Sequence, residues 1–181
     1  MFTQEQGQVL LAIAKHAIAD VLDIDAPSPA IPEWAKKMGA SFVTLTIDGR
    51  LRGCIGALEA YRPLADDVAY NAKAAAFGDP RFPPLDVDEY PLIKIEVSVL
   101  SPHEEIKAAN RAEAIAQLRP GVDGVIMSEG FRRGTFLPQV WEQLPDPNDF
   151  LDHLGAKAGL GMGYWSPKVK LSRYSVQAFT Q

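Results

Sequence analysis

A single cysteine, Cys54, stands in a chain of 181 residues, so no internal disulfide can form. Three scattered histidines (His16, His103 and His153) offer no HxH, CxxC or HExxH spacing, which argues against a built-in metal site. No apolar run approaches the roughly 20 residues of a membrane span. The opening "MFTQEQGQVLLAIAKH" has no basic n-region of a secretory signal. Long blocks of positive charge are missing too. Net charge is −5, and Arg132-Arg133 and Lys168/Lys170/Arg173 are short clusters that read as solvated faces. The expectation is a reducing, cytoplasmic setting, with neither membrane nor nucleic acid as partner. There are no internal repeats, and the "GVDGV" glycines (121–125) lack the spacing and strand-to-helix context of a dinucleotide fingerprint.

What is there has the balance of an ordinary globular protein, 47% hydrophobic and 23% charged. Thr3 with Gln6 is a capping-box pattern opening an amphipathic helix with an apolar stripe from Val9/Leu10 to Val21/Leu22. "APSPAIPEW" (26–34) holds three prolines and reads as an extended connector. "YRPLADDVAYNAKAAAFG" (61–78) predicts a helix ending at Gly78, with Asp66 and Asp67 solvated. "LIKIEVSVL" (92–100) predicts a strand with Ile93, Ile95, Val97 and Val99 on one face. Then come a short helix (110–118), a hairpin turning near Glu129-Gly130, a helical turn at "PQVWEQL", and a helix capped by Asp146 with Pro147 first. "VKLSRYSVQAF" (169–179) reads as one closing strand. The fold class expected is α+β, mostly antiparallel.

The stretch "SFVTLTIDGRLRGCIGALEA" (41–60) bears most on function. Val43, Leu45 and Ile47 alternate with Phe42, Thr44 and Thr46, and Asp48-Gly49 is a two-residue hairpin signal. A regular hairpin then pairs Arg50 with Ile47, Arg52 with Leu45 and Cys54 with Val43, putting Cys54 on the apolar face. Arg52 falls on that face as well. An unpaired buried arginine is costly, so a bulge or a carboxylate partner is required. Gly53 and Gly56 suit a bulge or the close approach of another group.

Three stretches in order and spacing, "LRGCIG" (51–56), "DPRFPPL" (79–85) and "GVDGVIMSEGFRRGTFLPQVWEQLPD" (121–146), resemble the signature segments of the AMMECR domain family. "FLDHLGAKAGL" (150–160) follows that family's closing helix, without the cysteine that other members often carry before "KAGL". The resemblance runs over nearly the whole chain. It implies one α+β domain over 1–181 with a larger and a smaller lobe, and "LRGCIG" near a cleft between them. Bacterial and archaeal members are called AmmeMemoRadiSam system protein A. The resemblance therefore implies a Memo-like protein and a radical SAM protein as partners. It supplies no established reaction, cofactor or catalytic residue.

The residues leave two readings open. In the favoured one the chain is a ligand-binding or accessory protein. Arg52 and Arg81, each in a stiffened segment, present planar forks to a small anionic ligand or clamp loops through Glu59, Asp79 or Asp86. Gly53, Cys54 and Gly56 edge that site, and Thr135 and Gln139 supply neutral hydrogen-bonding groups. Trp141 reads as core. In the alternative, Cys54 is the nucleophile of a transferase-like, thiol-dependent enzyme, with Arg52 holding substrate and His103 or His153 as base. An RNA-binding role rests only on "RLRG" and "FRRG".

Overall fold

The computed structural model describes all residues, Met1–Gln181. In chain order the elements begin with α1 (Gln4–Val21), β1 (Met38–Ile47), β2 (Arg50–Gly56), β3 (Arg62–Pro63) and α2 (Leu64–Phe77). They continue with β4 (Lys94–Leu100), β5 (Glu104–Ile106), α3 (Arg111–Gln117), β6 (Gly124–Glu129) and β7 (Arg132–Phe136). The last are α4 (Pro147–Lys157), β8 (Lys170–Tyr174) and β9 (Val176–Thr180). The architecture is α+β: β1 pairs antiparallel with β2, β3 and β4, and β8 with β5 and β6, as does β6 with β7. Two compact units divide the chain, Met1–Leu100 with Gln177–Gln181, and Ser101–Val176. No helix is long and apolar enough to cross a membrane.

The first unit is built on a sheet ordered β2-β1-β4-β9, with β3 pairing to β1. The Thr3 capping box forms as expected: the Thr3 hydroxyl accepts from the Gln6 N–H, and the Gln6 side chain accepts from the Thr3 N–H. Helices α1 and α2 pack on one face of this sheet, where Leu10, Leu11, Ile18, Val43, Leu45, Val68, Ala72, Ile95 and Val97 form the core. Leu64, Val68, Ala72, Ala75 and Ala76 of α2 are all buried, as their spacing predicts. Asp67 corrects the reading of a solvated pair, because only Asp66 is exposed. The Asp67 carboxylate is wholly buried and accepts from the Ser41 N–H, the Ser41 hydroxyl and the Asn71 amide. Charge patterning along a helix does not reveal that β1 offers two donors to one of its acids, beside a third from Asn71 of the same helix.

The second unit has a sheet ordered β5-β8-β6-β7, with a core that includes Val125, Met127, Phe150, Leu151, Leu154 and Leu171. Trp141 belongs to this core: its ring stacks on Phe150 at 3.7 Å, and its Nε1 donates to the Asp123 carbonyl at 2.7 Å. Asp146 caps α4 by accepting from the Asn148 and Asp149 N–H groups. The closing strand read from 169–179 is in fact two. β8 pairs with β5 and β6 in the second sheet, whereas β9 lies beside β4 in the first. Its apolar alternation is continuous in sequence, so periodicity alone hides the break at Ser175.

Candidate functional site

The site grows from the β1–β2 hairpin. Asp48 and Gly49 both adopt positive φ (50° and 74°), the conformation that a tight two-residue hairpin turn requires. Ile47 pairs with Arg50 as expected, and Thr46 with Leu51. The register then slips by one residue. Leu45 faces Gly53, Thr44 faces Cys54, and Phe42 faces Gly56, leaving Arg52 as the extra residue of a β-bulge. Because side chains alternate along a strand, that single insertion turns Cys54 away from the core and onto the Thr44 face. The expected pairing of Cys54 with Val43 is thereby corrected. Cys54 is half-buried, and its Sγ accepts a hydrogen bond from the Thr44 hydroxyl at 3.2 Å.

The bulge also settles the arginine. Arg52 is buried, and its Nε and Nη2 each donate to one oxygen of Glu89 at 2.7 Å. Its third nitrogen, Nη1, is buried without a partner. Glu89 is itself fixed in a reciprocal turn: its carboxylate accepts from the Asp86 N–H, while the Asp86 carboxylate accepts from the Glu89 N–H. The Arg52 guanidinium therefore holds the Glu89 carboxyl below its ordinary range, and Glu89 raises Arg52. The sequence reading required a partner for Arg52 but did not name Glu89. The D-x-x-E spacing of Asp86 and Glu89, a capping-box pattern, was the available signal.

Strand β2 is an edge, so its outward backbone groups need partners. Asp79 and Arg81 of the "DPR" turn supply them. The buried Asp79 carboxylate accepts from the Cys54 N–H at 2.9 Å, and the Arg81 Nη2 donates to the Cys54 carbonyl at 3.2 Å. The two side chains also bind each other, Nε to Oδ1 at 2.9 Å and Nη2 to Oδ2 at 2.7 Å. A carboxylate and a guanidinium thus take the place of a neighbouring strand at one residue, Cys54. The Arg81 guanidinium, aided by the Cys54 N–H, holds Asp79 far below the usual carboxylate range. Arg81 is raised in turn, chiefly by Asp79, and the Cys54 sulfur lies within its electrostatic reach. Its side chain remains about half exposed.

The two glycines of the motif are explained by close approach. A Cβ on Gly53 would lie 2.0 Å from the Ala75 carbonyl oxygen of α2. One on Gly56 would lie 2.3 Å from Cγ of Phe42, its cross-strand partner. Phe82 receives both guanidinium groups near its ring, Arg52 at 5.9 Å and Arg81 at 5.6 Å from the centroid. Beside the hairpin end, Ile47, Asp48, Arg50, Leu51, Arg52 and Glu89 line an open depression of about 440 Å³.

Arg52, Gly53, Cys54, Gly56 and Arg81 therefore come together within the first unit. Thr135 and Gln139 belong to the second, where the Thr135 hydroxyl donates to the Val125 carbonyl at 3.0 Å and lies 3.1 Å from the Tyr174 hydroxyl. Gln139 is exposed on the short helical turn Pro138–Glu142. Of the histidines weighed as bases, His153 is exposed on α4 of the second unit, and His103 also lies in that unit.

The model of the AMMECR1 family matches residues 11–179. A protein of Methanothermobacter thermautotrophicus is 37% identical over 98% of this chain and 95% of its own length. One from Methanopyrus kandleri is 38% identical over 99% of this chain and 90% of its own. The crystal structure of an uncharacterized protein from Pyrococcus horikoshii superposes with a TM-score of 0.82 at 34% identity, covering 99% of this chain and 93% of that one.

Proposed function

The chain belongs to the AMMECR1 family, and from that premise we propose that it binds a small anionic ligand on the Cys54-bearing face of its first unit without consuming the thiol. In this reading it serves as an accessory to the Memo-like and radical SAM partners that the resemblance implies. One observation carries the proposal: the charged groups around Cys54 are already engaged, with one another or with its backbone. Asp79 is engaged by the Cys54 N–H and by Arg81, and Arg52 is engaged by Glu89. The sulfur's hydrogen-bond partner is the Thr44 hydroxyl, which is no general base at neutral pH. Arg81 keeps an exposed side chain whose Nη1 lies outside the clamp, and this nitrogen is the donor assigned to the anion. Gly53 and Gly56 keep the strand close to its neighbours, and Arg52 positions the bulge.

An NMR titration of isotope-labelled protein with inorganic phosphate and with short dicarboxylates tests this. Shifts at the amides of 52–56 and 79–82, weakened at least tenfold in Arg81→Ala, are expected. No shift at millimolar concentration refutes the reading. The alternative, a transferase-like enzyme with Cys54 as nucleophile, draws on the reach of Arg81 to the sulfur. Burst release of a leaving group with a covalent adduct on Cys54 would decide for it.

A further inference from the structure

The tip of the β6–β7 hairpin carries a feature that the fold does not need. Glu129 pairs with Arg132, so Gly130 and Phe131 form the turn, and the positive φ of Gly130 (58°) suits that position. Phe131 has no such reason. Tight turns favour Gly, Asn and Asp, yet a phenylalanine stands there with its side chain fully exposed. Tyr164 and Met162 add partly exposed apolar surface on the loop before β8. Glu129, Phe131, Arg132, Tyr164, Pro167 and Lys168 are among the residues lining a depression of about 640 Å³.

This depression is preformed. Glu129 accepts hydrogen bonds from the Tyr164 hydroxyl at 2.9 Å and from the Ser166 hydroxyl, holding the loop against the base of the hairpin. The Gly163 N–H donates to Asp152 of α4 at 3.1 Å, and the Lys168 N–H donates to the Ser166 hydroxyl. Apolar surface held in place this way loses little entropy when a partner arrives. The single carboxylate of the depression is turned to internal use, and those two hydroxyls keep it ionised by lowering its pKa. Around it Arg132 and Lys168 are exposed, two cations lining the depression on a chain of net charge −5.

We propose that the Phe131–Tyr164 depression is a docking site for an acidic protein segment, whose apolar side chain packs between the two rings while its carboxylates meet Arg132 and Lys168. An exposed aromatic beside an arginine is the composition of an interface anchor. A nucleic-acid track requires a longer run of cations along a phosphate chain, and two cations beside a carboxylate do not form one. This site lies wholly in the second unit and does not depend on the anion site at Cys54.

The test uses the full isotope-labelled chain and a short synthetic peptide rich in glutamate with one central leucine. Amide shifts confined to 129–134 and 162–170 are expected. Phe131→Ala should weaken binding about tenfold or more, Lys168→Glu should weaken it and reduce its salt dependence, and replacing the leucine by serine should nearly abolish it. Both variants alter exposed side chains, and unchanged spectra elsewhere establish that they fold. The proposal is overturned by absence of shifts at millimolar peptide, by equal binding of the Phe131→Ala variant, or by a response only to single-stranded RNA or to anionic lipid vesicles.

Discussion

The two hairpins of this protein share a plan and differ in where they depart from it. Both are antiparallel and both turn through two residues, Asp48-Gly49 in one and Gly130-Phe131 in the other. The β1–β2 hairpin keeps an ordinary turn and is irregular in mid-strand, where the Arg52 bulge carries Cys54 onto the Thr44 face. The β6–β7 hairpin is regular along its strands and unusual only at its tip. The first irregularity is held by the ion pairs of a buried Arg52 and a buried Asp79, so altering it should cost stability. The second meets solvent, so altering it should cost association alone.

Four changes sharpen that contrast. Glu89→Ala removes the two-point partner of a largely buried guanidinium at the edge of an open depression. It should lower unfolding free energy by about 2–3 kcal/mol in urea denaturation. An unchanged midpoint would break the account of the bulge. Gly53→Ala sets a methyl against the Ala75 carbonyl oxygen and should cost about 1–3 kcal/mol as α2 is displaced. Hydrogen exchange should quicken along β2 and the end of α2.

Acid comes next in size. Asp79 and Glu89 are both lowered in the folded state. Their contribution is therefore fully present above the unfolded values of about 4 and is lost as pH falls through the folded values. Asp67 has the opposite sign, because burial raises it. Its cost grows as pH climbs through its folded value, and Asp67→Asn should change stability at neutral pH by less than about 1 kcal/mol while flattening the profile above pH ~4. Smallest of all, Phe131→Ala should leave stability within about 0.5 kcal/mol of the parent by thermal melt.

Much of the architecture was legible in local patterns. Capping at Thr3 and Asp146, the Asp48-Gly49 turn, the alternation of Ile93 to Val99 and the buried face of α2 all follow from spacing, and each stands in the structure. What was not legible depends on a single inserted residue or on partners distant in the chain. No period in "RLRGCIG" marks where the bulge falls, although the unfavourable burial of Arg52 announced that something must give. The contact of Cys54 with Asp79 spans 25 residues, and that of Arg52 with Glu89 spans 37. The break between β8 and β9 was hidden for a related reason, since two strands in different sheets can share one continuous alternation.

The thiol remains the most direct test of the functional account. The rate of alkylation of Cys54 by iodoacetamide, measured on the native chain at neutral pH against free cysteine, should equal or fall below that of the free thiol, since Thr44 rather than a base meets the sulfur. A rate tenfold or more above free cysteine, abolished by unfolding, would mark an activated nucleophile and contradict the proposal that Cys54 edges a binding site without performing chemistry.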